Sequence, residues 1–263
     1  MNLAALDVDG TLYEGTLGFS LLDELSVSGL VGAHAVQHVR DAMREHRDAG
    51  DRFRDTTDLT SDAYAHAVRG VRHEDAVRAS HTAWRRVRHR LLASSAPLVE
   101  NLRRNGFTPV LLSGSPQEMI DRIADELGVA HRIGMRLATG ADSAYTHRFL
   151  ALPAVPEVKA ALFRALAARL GADVRAALAV GNSASDHALL DAVGHPVAFE
   201  PDDTLRALAR DGGWAIADRH TLLPLVDALT GPRRLPPVPR QDVRLPSSSS
   251  SEPSERNLHA HSS

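Results

Sequence analysis

The chain has 263 residues, room for one large domain or two small ones, and is 43% hydrophobic and 24% charged, as soluble globular proteins are. A formal net charge of −3 argues against a nucleic-acid coat or an anionic membrane surface as the main partner. Cysteine is absent, which removes disulfides and thiol chemistry.

The opening residues MNLAALDVDG carry no basic segment and no long apolar run. Neither a secretory signal nor a membrane span is expected there, and the cytoplasm is the default location. Residues 2–8 are a short apolar run ending at acidic residues and Gly10, the pattern of a buried strand that leads into a loop. Residues 14–93 read as helical. Within them, residues 74–93 put Val77, Trp84, Val87 and Leu91 near one face, with Arg78, Arg85, Arg86 and Arg90 largely elsewhere. From 94 to 231, apolar runs at 108–112, 176–180, 195–199 and 214–217 alternate with helical stretches such as 97–105, 116–127 and 157–170. Such alternation predicts an α/β fold, a doubly wound parallel sheet covered on both faces. Beyond Gly231 the segments PRRLPPVPR and PSSSSSEPSER form a Pro/Ser-rich tail with too little apolar surface to order itself.

In a doubly wound sheet, ligands bind at the carboxyl ends of the strands. Three of those ends carry polar residues: Asp7-Val8-Asp9-Gly10-Thr11, Ser113-Gly114-Ser115, and Gly181-Asn182-Ser183 with Asp186 beyond. Carboxylates two apart on a strand point to opposite sides until the backbone turns, and Gly10 permits that turn. Crowded carboxylates are relieved by a hard divalent cation with oxygen ligands. Ser113, Gly114 and Ser115 offer hydroxyls and N–H groups before a helix expected to begin near Pro116, a setting that favours a phosphate. Lys159 is the only lysine, all other members of the Lys+Arg count of 30 being arginine, and it opens the helix before the third strand end. Taken singly, Asp-Gly is a turn, Ser-Gly-Ser a loop and a lone lysine a surface group. Taken together in this chain order, they describe a phosphoryl-transfer site.

The series DVDGTL, SGS, Lys159 and GNSASD resembles the haloacid dehalogenase-like superfamily over residues 1–230. The spacing from Lys159 to Asn182 and the helical insert after the first motif resemble its phosphoserine-phosphatase-like branch. The resemblance implies a Rossmann-like core of residues 1–13 and 94–231, a helical cap at 14–93 and a disordered tail at 232–263. It implies Mg²⁺ as cofactor and a small phosphorylated substrate. It also implies roles. Asp7 is the nucleophile that becomes an aspartyl-phosphate. Asp9 is general acid, then base, and its backbone carbonyl binds the metal. Ser113 and the Gly114 N–H hold the phosphoryl oxygens, and Lys159 neutralises charge between nucleophile and phosphate. Asp7, Asp9, Asn182 and Asp186 form the metal set. A compact ammonium fits between a carboxylate and a phosphoryl oxygen where a planar guanidinium does not.

Two departures bear on function. Asn182 stands where many relatives have an Asp, so its amide oxygen offers a ligand without charge. The Glu by which phosphoserine phosphatases hold the amino acid has no clear counterpart, with Glu14 early and Thr16 near the place. Arg69 and Arg72 in the insert are candidates to meet an acidic substrate, Arg69 first, with a solvated helix face as the alternative. His187 is a candidate to line the site. His34 and His38 have the spacing of zinc ligands on a helix, but no third ligand is evident and a surface face is expected. The basic run Arg85–Arg90 lacks interleaved stacking aromatics apart from Trp84, so no nucleic-acid role is expected. The reading is a phosphomonoesterase. A phosphotransferase or mutase on the same fold, and a catalytically silent binder of a phosphorylated ligand or of a protein partner, stay open. Oligomeric state is not read.

Overall fold

The computed structural model describes residues 1–47 and 53–231, and the tail expected at 232–263 lies outside the described residues. Strand β1 (Asn2–Leu6) is the hub. It pairs in parallel with β2 (Phe107–Pro116) on one side and β5 (Leu178–Gly181) on the other, so that Leu6 lies opposite both Leu111 and Val180. Outward from β2 come β3 (His131–Thr139) and β4 (Tyr145–Ala151), and outward from β5 come β6 (His195–Phe199) and β7 (Ala215–Ala217). The order is β4-β3-β2-β1-β5-β6-β7, parallel throughout except for β4, which runs antiparallel to β3. Strand order reverses at β1, so the crevice between β1, β2 and β5 is the place where such a sheet receives a ligand.

Alternation along β1 divides the core. Ala4 and Leu6 face an apolar cluster with Leu98 and Leu102 of α5 (Ser95–Arg104), Ile120 and Ile123 of α6 (Gln117–Leu127), and helix α10 (Leu222–Thr230). Leu3 and Ala5 face the opposite cluster, with Phe163 of α7 (Pro156–Arg169), Leu189 of α8 (His187–Ala192) and Leu205 of α9 (Asp203–Asp211). These clusters are the two covered faces expected from near-continuous apolar strands.

Between β1 and α5 the described residues form four α-helices: α1 (Leu17–Val27), α2 (Ala33–Arg47), α3 (Phe53–Ala67) and α4 (His73–Val87). The buried stripe of α4 is Ala76, Ala79, Ser80, Ala83 and Trp84. This differs from the expected face: Val77 and Val87 are only half-buried, and the helix ends at Val87 before a 3-10 turn, so Leu91 is not on it. Two of the neighbouring basic residues tie the helix to others through ion pairs. Arg86 binds the buried Glu24 of α1 at 2.6 Å, and Arg88 pairs with Glu126 of α6. Among the described residues, no helix is long and apolar enough to cross a membrane.

The hairpin β3–β4 is not among the elements expected from sequence. Gly134, Arg132 and Arg136 interrupt any apolar run in β3, and β4 is an edge strand whose exposed positions include His147 and Arg148. The Ser-Gly-Ser stretch also differs. Pro116 ends β2, and α6 starts at Gln117. Pairing of β2 with β3 jumps from Leu112↔Ile133 to Pro116↔Met135, so β2 has extra residues there and bulges.

Candidate active site

The turn after β1 is tightly tied. The N–H groups of Thr11, Leu12 and Tyr13 all donate to the carbonyl of Val8, at 3.1, 2.9 and 3.0 Å, while Gly10 N–H donates to the Tyr13 carbonyl at 2.8 Å. Gly10 has φ +85°, in the left-handed region, and a Cβ there would collide with the Asn182 amide. A glycine is therefore required both for the turn and for the approach of Asn182 to the two aspartates.

Asp7 is buried. Its Oδ1 accepts from Lys159 Nζ at 2.9 Å and its Oδ2 from Thr11 Oγ1 at 3.2 Å. Lys159, 1% exposed, also donates to Asp186 Oδ1 at 2.6 Å. Helix α7 places this lysine. Pro156 stands in its first turn, where a missing N–H costs nothing, and Lys159 follows with its N–H donating to the Val155 carbonyl at 2.9 Å.

Burial and the neighbouring Asp186 push the Asp7 carboxyl up from its ordinary 3.8 to about 7, against the opposing pull of Lys159. For Lys159, burial acts downward, but Asp186 and Asp7 outweigh it and hold the ammonium above its ordinary value. Asp186 is fully buried and does not line the cavity. Its Oδ1 is held by Lys159, and its Oδ2 accepts from the N–H groups of Asn182 at 3.0 Å and Ser183 at 3.1 Å. Asp186, expected in the metal set, accepts hydrogen bonds at both oxygens and anchors the lysine. Gly181 makes room for it, since a Cβ there would meet the Asp186 carboxyl carbon at 2.5 Å.

Asp9 accepts at Oδ1 from Leu17 N–H, 2.9 Å, and at Oδ2 from Ser115 Oγ, 2.5 Å, and Ser113 Oγ, 3.4 Å. Burial raises its pKa, opposed by the Ser115 hydrogen bond. Ser115 Oγ in turn accepts from Gly18 N–H at 3.1 Å. Ser115, expected with its neighbours to favour a phosphate, instead holds Asp9, and Thr11 holds Asp7 without having been expected at the site. The available signal is a hydroxyl beside each motif aspartate or serine, but its partner is visible only in three dimensions.

Asp7, Asp9, Ser113, Gly114, Lys159 and Asn182 all line one cavity of about 690 Å³. Arg69, a candidate for the substrate, does not: it is exposed past the end of α3, and Arg72 pairs with Glu74 at 3.0 Å. Glu14 is exposed and off the cavity, whereas Thr16 lines it. His187 is also off the cavity wall, its Nδ1 within 2.9 Å of the Ala184 carbonyl. His34 and His38 are exposed on α2, and no group of three His, Cys, Asp or Glu side chains suited to a metal occurs among the described residues. A cation at this site would draw on a mixed oxygen set instead. The Asp7 carboxylate, the Asp9 backbone carbonyl and the Asn182 amide oxygen suit a hard divalent ion that retains waters, and the burial and neighbouring Asp186 that make Asp7 resist ionising are effects a cation would offset.

A family model described as haloacid dehalogenase-like hydrolase matches residues 4–191. The chain is 33% identical over 145 residues to the "Inhibition of morphological differentiation protein" of Streptomyces azureus, a match covering 55% of this chain and 52% of that protein, about half its length. It is 30% identical over 203 residues to a phosphoserine phosphatase of Halobacterium salinarum, covering 76% and 87% of the two chains. In fold it is similar to a substrate-bound phosphoserine phosphatase, with a TM-score of 0.63 at 17% identity over 84% of this chain and 96% of the other. The chain belongs to the haloacid dehalogenase-like hydrolases, in their phosphoserine-phosphatase-like branch.

Proposed function

We propose that the protein is a Mg²⁺-dependent phosphomonoesterase that cleaves a small phosphorylated metabolite through an aspartyl-phosphate on Asp7, with helices α1–α4 acting as a cap over a core of residues 1–13 and 94–231. The observation that carries this reading is the buried Lys159 ammonium, 2.9 Å from Asp7 and 2.6 Å from Asp186, behind a carboxylate that opens on the cavity.

In this mechanism the phosphoryl group sits before Asp7, against Ser113, Gly114 and the start of α6. An Asp7 oxygen attacks phosphorus, the bond to the leaving oxygen breaks, and protonated Asp9 gives that oxygen its proton. Asp9 then takes a proton from water as the water attacks the aspartyl-phosphate, which releases phosphate and restores Asp7. Lys159 offsets charge on the nucleophile and the transferring group, and Asp186 holds it in place. Asp7, Asp9 and Asn182 would hold Mg²⁺, which when bound supplies further charge stabilisation to the phosphoryl oxygens.

The test is hydrolysis of p-nitrophenyl phosphate with and without Mg²⁺ by the wild type and by Asp7→Asn. Activity is expected only in the wild type with Mg²⁺. A wild type inactive on this and other phosphomonoesters would favour a silent binder.

A further inference from the structure

The cavity extends beyond its phosphoryl end. There it is lined by Phe19 of α1, Val39 and Met43 of α2, Tyr64 of α3 and Met135 of β3. The polar groups beside them are the uncharged Thr16, Thr60 and Ser61, of which Thr60 donates to the Ala42 carbonyl at 3.2 Å. Among the described residues, the charged groups lining the cavity are Asp7, Asp9, Asp202, Asp203 and Lys159. The one cation of that set is already shared between Asp7 and Asp186. Arg40 stacks on the Phe19 ring at 5.1 Å, but its guanidinium is bound to Asp23 at 2.6 Å.

Resting on the phosphomonoesterase reading, we propose that the leaving group is an uncharged alcohol with an apolar, aromatic or branched body, and that esters bearing a carboxylate are rejected. An apolar body gains by leaving water against Phe19, Met43 and Tyr64. A carboxylate placed there loses its hydration without gaining a cation among the described residues. Phosphorylated hydroxy acids, phosphoserine included, are therefore poor substrates.

The test compares 2-phenylethyl phosphate with its para-carboxylate, whose leaving alcohols are alike in acidity. The expected preference in kcat/KM is about a hundredfold or more for the uncharged ester, the scale on which a mismatched pocket discriminates. Met43→Arg puts a cation on the apolar wall and should shrink that ratio. Equal rates in the wild type, or a ratio that Met43→Arg leaves unmoved, would overturn the proposal. Calorimetry with the two corresponding phosphonates reads the same preference without turnover. If neither ester is cleaved but the uncharged phosphonate binds more tightly, the phosphatase chemistry falls and the binding preference stands. Equal or weaker binding of the uncharged phosphonate sinks the preference itself.

Discussion

Lys159 holds two carboxylates from the interior, and shape decides what an arginine would do in its place. The site has a compact ammonium at hydrogen-bond distance from Asp7 and Asp186 with 1% of the residue exposed. A guanidinium is broader and demands a planar fork, so it must displace one carboxylate or the packing around it. Lys159→Arg should lower turnover by about a hundredfold or more, on the order of losing a preorganised donor to the developing charge. Steady-state kinetics on the purified variant, with circular dichroism as the control for folding, checks this. Normal turnover would show that charge alone matters. At this scale the strand-end residues Asp7, Asp9, Ser113, Gly114 and Asn182 were legible because their types are unusual at the ends of apolar runs. The partners of Asp186 were not, because a carboxylate four residues past Asn182 reads equally as a ligand or as an anchor until the backbone is placed. Arg69 could not be oriented because the helical pattern around it does not say which face meets the cavity.

At the scale of elements, the bulged end of β2 and the start of α1 meet through one hydroxyl. Ser115 Oγ accepts from Gly18 N–H and donates to Asp9, which also accepts from Leu17 N–H. The proposed acid is therefore oriented by the first turn of the helical insert. Ser115→Ala should lower kcat by about tenfold while KM changes little, less than the roughly hundredfold or more a general acid contributes, because the acid itself remains. It should also move the Asp9 limb of the pH profile upward, since the Ser115 hydrogen bond opposes the effect of burial. An unchanged pH profile would show that Ser115 does not act through Asp9. The alternation of strands and helices was readable from apolar runs, which is why β1, β2, β5, β6 and β7 were expected near their places. The hairpin β3–β4 was not, because its charged and glycine positions suit an edge and leave no run to detect. The true face of α4 was hidden for a related reason: its buried stripe is mostly alanine, which carries little hydrophobic signal.

For the molecule as a whole, the site costs stability that a cation should return. The Asp7 pKa is raised in the folded state from 3.8 to about 7, and that of Asp9 is raised too. The folded protein therefore binds these protons more tightly than the unfolded chain, and this contribution to stability is lost as pH rises from about 4 through about 7. Mg²⁺ bound to the ionised site stabilises only the folded state. The rise in Tm on adding Mg²⁺ should be larger at pH 8 than at pH 5, and Asp7→Asn should remove most of the difference. Differential scanning calorimetry at both pH values checks it, and an equal rise at both would contradict the assignment of Asp7 to the cation. The most direct test of the central claim is chemical trapping of the intermediate. Wild-type protein mixed with substrate and Mg²⁺, quenched and reduced with borohydride, should yield homoserine at position 7 in peptide mass spectra, dependent on substrate and absent from Asp7→Asn. Steady turnover with residue 7 unmodified, or modification at another carboxylate, would contradict it.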